Sequence, residues 1–255
     1  MAARGKLGQE GGWGKKKDYG RSRAHAQRTD DLFDHYIRLL AGLRPRAFVA
    51  ENVFGLARGL AKGKLVQFLA KMQSHGYRVR VRELDARWLG VPQHRRRLIF
   101  VGVRDDVRAA PAHPSPLPWE YSVAEALDHP SCPGEVDEAA KIEGYAIEAE
   151  ARKLAPGQKS EKFFNLRRLA AGEPARTILA SGGHPGAASV LVPSGLRKPT
   201  IAELKRLCGF PEDFRLTGNY EQRWERLGRA VPPPMMRAVG EVIRDFLLAA
   251  SREVA

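Results

Sequence analysis

Two short segments place chemically useful side chains beside apolar runs. Glu51 and Asn52 follow the run Ala47 to Ala50, and Gln93, Arg95 and Arg97 lead into the run Leu98 to Val103. A carboxyl group shielded from water has a raised pKa and can give a proton to a basic ring nitrogen. A guanidinium keeps its charge and donates along a planar fork, which suits carbonyls, carboxylates and phosphates. Each segment alone also has a plain reading: Glu51 as a strand-end side chain bonded to nearby backbone, and the arginines as a solvated basic turn. The two cysteines, Cys132 and Cys208, lie far apart without Cys-x-x-Cys or Cys/His spacing, which argues against a disulfide framework and against a zinc site.

The elements that must position these groups are legible from periodicity. Leu32, Phe33, Tyr36, Ile37, Leu40 and Leu43 recur at helical steps, predicting a helix from Asp30 to Leu43 that Thr29 or Asp30 caps and Pro45 stops. Ala47 to Ala50 reads as a buried strand and Leu65 to His75 as a second helix. Tyr77 to Leu84 alternates with a period of two, and Leu98 to Val103 is a further apolar strand. Alternating helices and strands imply an α/β fold with working residues at strand ends. Four prolines between residues 109 and 118 mark a change of composition. Residues 105–196 then read as an inserted lobe containing an acidic helix-like stretch, Glu135 to Leu154. Thr200 to Leu207, capped by Thr200, and Met235 to Leu248 are expected helices in a closing segment, 197–255. The catalytic-type portion is 30–104, and residues 1–29, rich in Gly, Lys and Arg, read as a mobile basic loop.

The 255 residues contain 43 Lys and Arg against 29 Asp and Glu, a formal net charge of +14. Such a surface attracts polyanions, and nucleic acid is the expected partner. No apolar run approaches the roughly 20 residues that a membrane-crossing helix needs, and the basic N-terminus lacks the apolar core of a secretory signal. A reducing cytoplasm is the expected compartment, with no membrane and no metal.

Glu51-Asn52-Val53, then Gln93-x-Arg95-x-Arg97, then Arg197 to Phe214 with Gly228 to Pro232, in this order and spacing, resemble the cytosine-5 DNA methyltransferase family. The likeness covers about residues 13–104 and 175–245. It implies part of a Rossmann-like, S-adenosylmethionine-dependent methyltransferase sheet with an inserted small DNA-recognition lobe. By this resemblance Glu51 binds nitrogen 3 and the exocyclic amine of a flipped cytosine, withdrawing electrons so that a thiolate can add at carbon 6. Arg95 and Arg97 hold the base carbonyl, the acidic residue and a phosphate. Asn52 holds the loop of the nucleophile, and Gln93 shapes its own loop at the DNA. Leu32, Gly228, Arg229 and Ala230 fall at the family's cofactor positions, although asparagine is usual where Arg229 stands, and Leu32 has an equally simple reading as core. Lys15, Lys16, Lys17, Arg21 and Arg23 would lie on a loop closing over duplex DNA, or else on a plain tail. His184 and its neighbouring glycines resemble the lead-in to the recognition region, which reads bases through a groove.

The family's Gly-rich F-x-G-x-G loop and its Pro-Cys nucleophile are not found in this sequence. Cys132 and Cys208 stand in the wrong segments to replace that thiol, and Met1 falls a few residues past the expected Pro-Cys. A truncated or mis-started chain, a split enzyme whose other half is a separate polypeptide, and a degenerate remnant are all open. The implied reaction is methyl transfer to carbon 5 of cytosine in duplex DNA, of restriction-modification or phage type. A non-catalytic DNA-binding protein and an RNA cytosine-5 methyltransferase are the alternatives.

Overall fold

The computed structural model describes residues 32–58, 61–128 and 138–252. They divide into two units, the first comprising the chain up to Glu83, Arg97–His113 and the residues from Ile243 onward, the second Leu84–Arg96 and Pro114–Val242.

The first unit begins with helix α1, Leu32–Leu43, followed by β1, Ala47–Val53, and helix α2, Ala61–Ser74. Strands β2, Tyr77–Asp85, and β3, Arg96–Arg104, complete a three-stranded sheet ordered β1-β3-β2. The middle strand β3 is buried continuously from Leu98 to Val103, which is why it reads as an unbroken apolar run. On β2 the side chains alternate, with Arg78, Arg80 and Arg82 exposed between less exposed neighbours. β1 runs antiparallel to β3, with Ala47 opposite Val103 and Val53 opposite Arg97.

Helical apolar stripes close over one face of the sheet. Ile37 and Leu40 of α1 and Phe68 and Met72 of α2 share a core with Phe48, Tyr77 and Phe100, and the rings of Phe33 and Phe68 stack with centroids 3.7 Å apart. The Tyr36 hydroxyl donates to the Val49 carbonyl at 2.8 Å, and burial pushes its pKa up to about 12. Gly102 stands opposite Phe48 in register, and a Cβ there would lie 2.0 Å from the Phe48 ring. Only glycine lets that ring lie flat across β3.

The second unit contains short elements held by polar side chains. Helices α3, Val123–Leu127, and α4, Glu148–Ala151, precede the paired two-residue strands β4, Arg167–Arg168, and β5, Val190–Leu191. Helices α5, Ile201–Leu207, and α6, Tyr220–Arg229, follow, and α7, Pro233–Arg252, starts in this unit and belongs to the first from Ile243 onward. Thr200 caps α5 as expected, in a reciprocal box with Glu203 that Arg197 reinforces at 2.6 Å.

Two expectations are corrected. The acidic stretch is not one helix: between Glu138 and Leu154 only short turns and α4 form, because Ile142 and Ile147 both point into a small core while Glu148 caps the Gly144 amide between them. The lobe also does not end near 196. Leu204, Leu207, Trp224 and Leu227 share one core with Val123, Leu169, Ile178 and Val190, so α5 and α6 belong to the same unit as the inserted segment.

Candidate active site

Within the first unit, β1 and β3 bring together the two groups most expected to act on a base. Glu51 Oε1 lies 2.7 Å from Arg97 Nε, and both side chains are partly buried, 28% and 15% exposed. Glu51 therefore has a fixed orientation and a guanidinium at its side. The Asn52 side-chain oxygen accepts from the Val53 amide at 2.8 Å, a local turn that keeps Asn52 close to the backbone. Phe54–Ala57 then forms a single 3-10 turn, with the Arg58 guanidinium 4.4 Å from the centre of the Phe54 ring.

In the second unit the Gln93 to Arg96 segment is built around Asp85. Its carboxylate accepts from the Arg95 amide at 3.1 Å and the Arg87 amide at 3.3 Å, and pairs with His94 Nδ1 at 3.2 Å. Asp85 belongs to none of the sequence motifs described above. Its signal was an Asp ending a strand just before a short helical turn, the position where an acidic side chain caps free amides.

The roles expected of Gln93 and Arg95 are corrected by this packing. Gln93 is completely buried; its amide nitrogen donates to the Leu207 carbonyl and its oxygen accepts from the Ile178 amide, so it shapes the loop and cannot touch DNA. Arg95 is 2% exposed and donates to the backbone carbonyls of Gly228 at 2.9 Å and Ile178 at 3.4 Å. It is a buried brace, whereas Arg97 keeps 15% of its side chain exposed.

Of the residues expected to hold a cofactor, Leu32 lies in the first unit and Gly228, Arg229 and Ala230 in the second. Leu32 is half exposed, the Gly228 carbonyl is occupied by Arg95, and Arg229 pairs with Glu225 at 2.5 Å along its own helix. A Cβ on Gly228 would meet the Ala180 backbone at 2.6 Å, so this glycine serves chain-to-chain packing. Gly228 and Arg229 are the last residues of α6, and Ala230 is its C-cap. Cys208 is fully enclosed, and burial pushes its thiol up to about 11, which leaves it unfit as a nucleophile.

His184 is exposed, and its ring accepts from the Gly186 amide at 3.1 Å. Lys15, Lys16, Lys17, Arg21, Arg23 and Cys132 lie outside the described residues. Among the described residues, no group of three or more His, Cys, Asp or Glu side chains could hold a metal, and no helix is long and apolar enough to cross a membrane. Lys198 was missed altogether. It is completely buried, donating to the carbonyls of Gly182 at 2.7 Å, His184 at 2.5 Å and Ala187 at 2.8 Å. A lysine beside Pro199 carries no periodic signal that would predict this.

Known proteins similar to this chain are methyltransferases. The Type II methyltransferase M.PspPI of Psychrobacter sp. is 29% identical over 242 residues, covering 85% of this chain and 58% of the relative. M.NlaX of Neisseria lactamica is 28% identical, covering 91% and 73%, and M.BspRI of Lysinibacillus sphaericus is 30% identical, covering 89% and 58%. The chain thus spans between about half and three quarters of the length of these relatives. A crystal structure of a candidate DNA modification methyltransferase encoded within an E. coli prophage matches 85% of the chain with a TM-score of 0.70 at 18% identity. That of the S. pombe Dnmt2 methyltransferase matches 86% with a TM-score of 0.60 at 13% identity. At these identities the two structures speak for the methyltransferase fold alone. The family model for C-5 cytosine-specific DNA methylases matches residues 14–133 and 135–245, nearly the whole chain, and the protein belongs to that family.

Proposed function

We infer that this chain contributes the base-polarising half of a DNA cytosine-5 methyltransferase, with S-adenosylmethionine as the methyl donor that the family implies. The observation that carries this reading is the Glu51–Arg97 pair at 2.7 Å. A carboxyl group at nitrogen 3 and a guanidinium at the carbonyl draw electrons from the ring, which makes carbon 6 open to a thiolate and carbon 5 reactive in turn. The base would be presented outside the duplex, since neither group could reach these atoms in a stacked pair.

The thiol and most of the cofactor pocket would come from outside the residues described. Among those residues β1 pairs only with β3, so its other edge offers free backbone groups. Leu39 and Leu43 of α1 are exposed, with Leu43 75% open to solvent. These features suit a further segment that adds strands beside β1 and covers the helix, whether carried on this polypeptide or on a separate one. Duplex DNA is the substrate, and the basic stretch from Lys15 to Arg23 and exposed His184 are its proposed contacts.

The test is reconstitution. Co-expression with a segment carrying F-x-G-x-G and Pro-Cys should give a complex that moves tritiated methyl groups from cofactor into DNA. A well-folded complex that remains inactive on a pool of duplex sequences would overturn the enzymatic reading. Salt-sensitive DNA binding without transfer would instead favour a non-catalytic DNA-binding protein, a reading supported by the enclosed state of Cys208.

A further inference from the structure

Three backbone carbonyls of one loop converge on a single enclosed side chain. Lys198 Nζ donates to Gly182 at 2.7 Å, His184 at 2.5 Å and Ala187 at 2.8 Å, with none of the residue open to solvent. An ammonium has three N–H donors and no acceptor, so every donor is spent on the segment from Gly182 to Ala187. No carboxylate pairs with it among the described residues, and the Trp224 ring centre lies 5.7 Å from Nζ. The loop is drawn inward at its carbonyls as it would be around a small bound cation, by a side chain of the protein itself.

Turning the carbonyls inward fixes what the loop shows outside. The Gly186 amide donates to His184 Nδ1 at 3.1 Å, and an amide can only donate, so the ring proton lies on Nε2. The Tyr145 ring meets the imidazole edge on, with centroids 5.9 Å apart and planes at 82°. The backbone lies directly against α6, since a Cβ on Gly183 would stand 2.9 Å from the Glu221 Cα. His184 is exposed, and its Nε2–H has no partner among the described residues. An oriented surface donor, on a residue whose own carbonyl binds a buried ammonium without a carboxylate, is matched to an anion.

We propose that Lys198 is a positioning residue for DNA binding: by gathering three carbonyls it sets the loop so that His184 Nε2–H meets a backbone phosphate. The proposal rests on the reading of the chain as a DNA-acting protein and deepens it, assigning His184 to a phosphate and not to a base edge. A contact of that kind fixes the register of the duplex without reading its sequence. Lys198 touches no DNA and acts only through the loop.

The test uses the 255-residue chain at neutral pH. Imidazole nitrogen shifts of the wild type should report His184 as the Nε2–H tautomer, and Lys198→Met should turn it into a mixture of tautomers. A merely stabilising role would lower the melting temperature and leave the tautomer of the folded molecules unchanged. Lys198→Gln, which keeps two amide donors, should move the shifts the same way by less. Anisotropy titrations on labelled duplexes give the second readout. His184→Ala and Lys198→Met should each weaken binding by about 2- to 10-fold, the scale of one hydrogen bond, and equally on duplexes of unrelated sequence. The double variant should bind no more weakly than His184→Ala alone, because both changes remove the same contact. Melting curves establish that Lys198→Met is folded at the temperature used; if it is not, Lys198→Gln takes its place in the cycle. A Nδ1–H tautomer in the wild type, an unchanged tautomer in the folded Lys198 variants, losses that add in the double variant, or a His184→Ala loss confined to one sequence overturns the proposal and leaves the DNA reading standing. If the wild type binds no duplex, the DNA reading fails and takes this proposal with it.

Discussion

Arg97 reaches Glu51 along the diagonal of the sheet. Glu51 is paired in register with Ile99, so Arg97, two residues earlier on β3, faces the same side of the sheet, and the guanidinium closes to 2.7 Å from the carboxylate. A shift of either strand by one residue would turn one partner to the opposite face. The pair is therefore a readout of strand register as well as a piece of chemistry.

Removing either partner should abolish base polarisation. In a reconstituted complex, Glu51→Gln and Arg97→Gln are each expected to slow methyl transfer by about 10²- to 10⁴-fold, the usual range for a positioned acid–base group. DNA binding should change much less. Tritium transfer at wild-type rates with Glu51→Gln would contradict the assignment.

The 255-residue polypeptide by itself is expected to transfer no methyl group. Cys208 should react slowly with a thiol reagent in the native chain and quickly after denaturation, because it is 3% exposed and its thiol is pushed up to about 11. Cys208→Ala should leave the reconstituted rate unchanged; a large loss would show that this sulfur takes part.

Lys198 gives the stability of the second unit a pH dependence whose sign can be worked out. Burial lowers its pKa from 10.5 to about 7, so between those values the unfolded chain keeps a proton that the folded chain has released. Stability should therefore rise with pH across that window, and Lys198→Met should flatten the rise. The same substitution strands three backbone carbonyls, so a loss of at least about 1–3 kcal/mol is expected at neutral pH. Urea unfolding of both proteins from neutral to alkaline pH measures both effects.

DNA affinity should fall linearly in log K against log salt, by about 0.9 for each phosphate neutralised. Replacing Lys15, Lys16, Lys17, Arg21 and Arg23 with glutamine should flatten that slope and weaken binding to all sequences alike. Affinity that ignores salt would remove the basic surface as the DNA-binding determinant.

The exposed edge of β1 predicts how the chain behaves without a partner segment. Exchange at those amides of Ala47–Val53 that do not bond to β3 should be fast in the isolated chain and slow in the complex, and solubility should improve on co-expression. Equal protection in both states would mean that the added segment docks elsewhere.

The parts of this fold legible in the sequence are those where one periodicity dominates. α1, β2 and β3 fall within a few residues of their expected bounds because each has a single apolar pattern. The Glu51 and Arg97 assignments depended on motif order, and the sheet register explains why two residues so distant in sequence meet. The second unit resisted reading because buried polar side chains organise it. Arg168 donates to the carbonyls of Leu154 and Ala151, and Lys198 gathers three more, replacing ladders of regular structure with single side chains that have no spacing rule. Gln93 and Arg95 looked like ligand-binding groups for the same reason, since a buried brace and a substrate contact are spelled alike.

The contact between Gly102 and Phe48 restricts the order in which this protein can change. With a prospective Cβ 2.0 Å from the ring, any side chain at 102 must displace the phenylalanine or part β1 from β3. A variant at 102 becomes viable only after position 48 has been trimmed, whereas trimming 48 first costs a cavity that the fold can survive or refill. Related chains should therefore vary at these two positions as a couple, and a lineage that has lost the glycine should preserve in its small residue at 48 a record of which substitution came first.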